Sequence, residues 1–86
     1  MCILIKQITN DNMTTADVIA KNDSVITLHR QMVVIYNNDI TKYNNYMHLQ
    51  IDKQMVMGYV LNNGKTVIIY YIIDENNRIV SRKDLK

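Results

Sequence analysis

The chain has no proline, phenylalanine or tryptophan, and it has one cysteine, two glycines and one glutamate among 86 residues. With Cys2 alone, an intrachain disulfide and a cysteine zinc cluster are both excluded. A lone free thiol fits a cytoplasmic, reducing compartment. Gly58 and Gly64 cannot build a Walker loop or a dinucleotide-binding turn, whose backbones need glycines at set intervals. Glu75 has no matching glutamate, so a glycosidase-like carboxylate pair is unsupported. The longest apolar run, Val67–Ile73, has seven residues, against about 20 for a membrane-spanning helix. The opening Met1-Cys2-Ile3-Leu4-Ile5-Lys6 is too short and too soon charged for a signal peptide, and reads as a first strand. No segment points to a membrane.

Charge of one sign is also scarce. The net charge is +2, and the basic residues are dispersed apart from Arg78, Arg82, Lys83 and Lys86. That is no footprint for duplex DNA. Ser24 and Ser81 lack the G-x-S-x-G context of a nucleophile elbow. His29 and His48 show neither H-x-x-x-H nor H-E-x-x-H spacing. Both are expected on the more polar faces of strands. With Asp52 they are the nearest approach to an acid–base or metal constellation. No catalytic residue, metal ligand or cofactor is assigned, and the chain reads as non-enzymatic.

What is present is globular composition, 48% hydrophobic and 21% charged, at a length that suits a single domain over 1–86. Lys, Ile, Asn and Tyr are residues of A/T-rich codons. Their abundance suggests a low-GC genome, such as that of a phage or mobile element.

Residues 2–8 read as a strand and Thr9-Asn10-Asp11-Asn12 as a polar turn. Thr14 or Thr15 is expected to cap a short helix reaching about Lys21, with Val18 and Ile19 on its buried side. Asn22-Asp23-Ser24 breaks the chain. Residues 25–36 are rich in β-branched side chains. Ile26, Leu28, Met32, Val34 and Tyr36 alternate onto one face, interrupted by Arg30, which predicts one long strand. Asn37-Asn38-Asp39 reads as a turn, with Asp39 capping one helical turn that brings Ile40 and Tyr43 together. Residues 46–52 alternate cleanly, with Met47, Leu49 and Ile51 opposite Tyr46, His48, Gln50 and Asp52, as in a half-buried strand.

The strongest signal is a hairpin from Met55 to Asp74. Asn63-Gly64 is a preferred type I′ pair. Taken as a two-residue loop, it sets Leu61 opposite Thr66, Tyr59 opposite Ile68, Met57 opposite Tyr70 and Met55 opposite Ile72. The other face carries Val56, Gly58, Val60, Val67, Ile69, Tyr71 and Ile73. Both faces are apolar, which predicts a central hairpin covered on both sides. After the turn at 75–78, Ile79-Val80-Ser81 suits a short edge strand. The expected fold is α+β and β-rich, a single antiparallel sheet of about five or six strands with one or two short helices on one side.

The Val/Ile face of the hairpin reads as plain core. The other face is richer in Met55, Met57, Tyr59 and Tyr70, residue types favoured at interfaces. Its cover is the protein's own helix, a protein partner or a second copy in a homodimer. The leading expectation is a small binding protein acting by protein–protein contact, in the phage or mobile-element case as an inhibitor of a host protein. The alternative is a single-stranded nucleic-acid-binding module. Lys42, Tyr43, Tyr46 and His48 interleave basic and aromatic residues, near Arg30 if the strands pair. The RNP pattern itself is missing.

Overall fold

The computed structural model describes residues 1–50 and 55–81. Ile51 and Asp52 of the strand expected over 46–52 lie outside these residues, as do Arg82, Lys83 and Lys86. Strands β1 (Cys2–Asn10) and β2 (Met13–Asn22) form a hairpin, followed by helix α1 (Val25–Ile40) and a meander of β3 (Met47–Gln50), β4 (Met57–Leu61) and β5 (Thr66–Ile73). All pair antiparallel in the order β2-β1-β5-β4-β3, so β5 is the central strand. The expected class stands: one antiparallel sheet of five strands with one helix on one side.

Two expected elements exchange identities. The stretch from Thr14 to Lys21 is not a helix but most of β2. Asp11, at φ 55, turns the chain so that Asn10 pairs with Met13. The left-handed region tolerates aspartate in a tight turn. Thr14 and Thr15 then join a ladder that runs the length of β1 rather than capping a helix. The ladder slips once, between Leu4 and Ile5, where Ile19 is the extra residue of a β-bulge.

Residues 25–36 are not a strand but the body of α1. Asn22 Oδ1 accepts from the Ser24 N–H at 2.8 Å, and Ser24 Oγ accepts from the Thr27 N–H at 3.2 Å as the N-cap. Leu28, Met32 and Tyr36 stand four apart and form one buried row. All three are even positions, so they satisfy the period of a strand as well as that of a helix. The β-branched residues of α1 each cost a few tenths of a kcal/mol of helix propensity, and the packing of the buried row outweighs that sum. Asn37, Asn38 and Asp39 belong to the end of α1 rather than to a turn or a cap; Thr41 is the C-cap.

The hairpin register is as expected from Leu61–Thr66 through Tyr59–Ile68 to Met57–Tyr70, but the expected Met55–Ile72 pair does not form: Met55 N–H donates to Val80 O at 3.4 Å, and Val80 takes the place beside Ile72. Its loop differs. Asn62–Gly64 form a 3-10 turn in which Asn62 (φ 54) and Gly64 (φ 91) are left-handed, closed by Lys65 N–H donating to Asn62 O at 3.2 Å. The chain after Asp74 returns to bridge Ile79 to Ile73, and Val80 N–H donates to Ile72 O at 2.8 Å.

The core lies between α1 and one face of the sheet. Leu28, Met32 and Tyr36 pack on Leu4, Met55, Tyr59, Leu61, Ile68, Tyr70, Ile72 and Val80. The expectation that both faces of the hairpin are covered holds for one face only. The single described helix takes the Met/Tyr face, and no described element packs on the Val/Ile face. No helix among the described residues is long and apolar enough to cross a membrane.

Candidate functional site

Strand pairing decides which side chains share each face, because directly paired residues point the same way. Tyr59 and Tyr70 are wholly buried under α1, Met55 is 5% exposed, and Met57 packs against the same cluster. The cover of these four residues is therefore the protein's own helix. Tyr59 and Tyr70 owe their burial to a polar outlet. Their hydroxyls lie 3.3 Å apart, and the Tyr70 hydroxyl donates to Asp39 Oδ2 at 2.5 Å. Burial, with the Asp39 and Tyr59 contacts added, pushes the Tyr70 hydroxyl far above its ordinary pKa.

Asp39 sits at the C-terminal end of α1, where the helix dipole disfavours an anion. Three groups offset this. Besides Tyr70, Lys6 Nζ reaches Asp39 Oδ2 at 3.0 Å and Lys42 Nζ reaches Oδ1 at 3.5 Å. Burial works against the Asp39 charge, but the Tyr70 hydroxyl and the two lysines outweigh it and hold the carboxyl below its usual range. Lys6 also lies 5.6 Å from the centroid of the Tyr70 ring.

Beside this cluster the structure gathers four of the five residues expected for nucleic acid. Tyr43 and Tyr46 both touch the Tyr59 ring, at centroid distances of 5.8 and 6.4 Å, and Tyr46 meets His48 edge-on at 5.1 Å. Lys42 joins them through Asp39. His48 shares the helix-covered face of β3 with its pair Tyr59, and its Nδ1 hydrogen-bonds the Tyr36 hydroxyl, which also donates to Gly58 O at 3.1 Å. Arg30 is not part of the group. It lines a groove between α1 and β2 with Ile19, Val34 and Ile35. His29 lies on α1 rather than on a strand next to that of His48, and its Nδ1 is buried without a hydrogen-bond partner among the described residues.

The feature that sequence reasoning placed in the core is the open one. The uncovered face carries Ile3 and Ile5 of β1, Val18 of β2, Val67, Ile69, Tyr71 and Ile73 of β5, Val60 of β4, and Met47 and Leu49 of β3. Val18, Met47 and the bridged Ile79 are 56%, 69% and 41% exposed. Most of the others are half-buried, and Ile5, Ile69, Tyr71 and Ile73 line a shallow hollow with Val56, Asn77 and Ile79. A sheet face turned to water normally alternates to polar residues; this one does not. Its hydroxyls are already paired, Tyr71 donating to Gln7 Oε1 at 3.2 Å and Thr9 and Thr14 sharing a hydroxyl contact at 3.1 Å. Gly58 lets the face close up. A Cβ there would stand 2.8 Å from Ile68 O, 3.0 Å from Ile69 Cγ2 and 3.3 Å from Leu49 Cδ1. The signal for this face was in the sequence, as the Val/Ile alternation of the hairpin.

No protein-family model, no characterised protein and no solved structure matches this chain.

Proposed function

We propose that this chain is a small non-enzymatic binding protein that works by protein–protein contact through the uncovered face of its sheet. One observation carries the reading: apolar side chains run across all five strands on a side where no described element packs. Contiguous apolar patches beyond a few hundred Å² are uncommon on free-standing proteins and mark interaction surfaces. The face is also ready to lose water, because its tyrosine and threonine hydroxyls have partners within it.

A second reading rests on the gathering of Lys42, Tyr43, Tyr46 and His48 at one end of α1, which suits single-stranded nucleic acid. The rings there already meet one another and Tyr59 edge-on or tilted, which leaves less aromatic surface for bases, so the sheet face is the stronger candidate.

Copurification of the tagged chain from its native host, beside an Ile69→Lys variant, separates the two. A stoichiometric protein retained by the wild type and lost by the folded variant supports the sheet face. Nucleic acid retained by both and released by salt overturns it in favour of the second reading.

A further inference from the structure

We infer that the occupant of the uncovered face is a second copy of the chain, packed sheet against sheet about a twofold axis that runs between the two sheets, level with β5; this rests on the protein-contact reading above. Size is the first support. At about 4.8 Å between strands and about 3.4 Å per residue, the five strands tile roughly 600 Å² in projection. Two such faces in contact bury roughly 1,200 Å², the area at which specific, stable interfaces begin.

Shape is the second. An α-helix is about 10 Å across with its side chains, so one helix would leave more than half of a five-stranded face in water. A partner sheet of equal width covers it entirely, and a twin supplies that sheet by construction. Sheets stack about 10 Å apart with strands about 30° from parallel. The central strands of the two copies would then cross, with Ile69 and Tyr71 near the axis.

Charge is the third. No charged side chain of β1, β3, β4 or β5 points into the face, and Lys21 on the edge strand β2 stands at its margin. Two copies therefore meet without like-charge contact. A nucleic acid would find no cations there. The contact is isologous, so each residue meets its counterpart's neighbours and the assembly closes at two.

The test is sedimentation equilibrium of the full chain across the micromolar range, on the wild type, Ile69→Lys at the centre and Val18→Lys at the rim. Val18 is already 56% exposed on an edge strand, so its variant keeps the fold even if Ile69→Lys does not. The expected result is a wild-type dimer, with association weakened at least about tenfold by each lysine. A folded wild type that stays monomeric overturns the dimer. If Ile69→Lys still abolishes copurification of a protein partner, the contact reading stands without it. A dimer that the variants leave intact uses another surface and overturns the inference too.

Discussion

Asp39 shows how one side chain can be misplaced by local rules and held by tertiary ones. Its position invites a cap, yet it ends α1, where neither the dipole nor burial favours its charge. It is kept there because the buried Tyr70 hydroxyl and Lys6 need an acceptor. Asp39→Asn keeps the shape and removes the charge, leaving Lys6 without its ion partner. The expected loss near neutral pH is about 1–3 kcal/mol. The sign follows from linkage. The folded pKa of Asp39 lies below its unfolded value of about 3.9. Its contribution is therefore complete above that value and lost as pH falls through the folded pKa. Urea melts of both proteins should differ near neutrality and converge in acid once the pH has fallen below the folded pKa of Asp39. A constant difference across that range would mean that packing, not charge, is what Asp39 supplies.

At the scale of elements, legibility followed the number of independent signals. The β4–β5 pairing was readable because two alternating runs flank a glycine turn, and a slip of one residue would have turned every side chain over. The loop was not, since more than one turn geometry closes the same Leu61–Thr66 pair. For α1 the row Leu28, Met32 and Tyr36 fits both periods, and the N-cap at Ser24 was the deciding mark. β2 was obscured because threonine serves both caps and strands, and its pairing with β1 is a tertiary fact. The candidate site inverted for a related reason. Both hairpin faces are apolar, and composition does not say which one the only described helix will take. Gly58 is the element-level test of how tightly the open face is closed. Gly58→Ala would push a methyl group to 2.8 Å from Ile68 O, a backbone atom that can yield only if β4 and β5 separate. A loss of about 1–3 kcal/mol in a chemical melt is expected; no loss would show that β4 shifts freely.

The described residues form two layers, a five-stranded sheet with α1 on one side. No described element packs on the other side. On the dimer proposed above, stability and association are one equilibrium. The melting temperature of the wild type should rise with protein concentration, because a partner that binds only the folded state stabilises it by mass action. The Ile69→Lys variant, scanned by calorimetry over the same concentrations, should melt at a constant and lower temperature. A wild-type melting point independent of concentration would count against assembly through this face.

The place of β5 at the centre of the sheet has a consequence for how the chain is made. It is the last of the five strands in chain order, and it is paired on one side with β1, so that Ile3 meets Ile73. During synthesis the β1–β2 hairpin and α1 leave the ribosome with no sheet centre to dock on, and β3 and β4 follow still unjoined to them. Only when β5 emerges can the two halves be stitched together. Such long-range closure is slow. Until it happens, an apolar strand edge is open on each half, so the nascent chain passes through an interval in which premature association competes with folding.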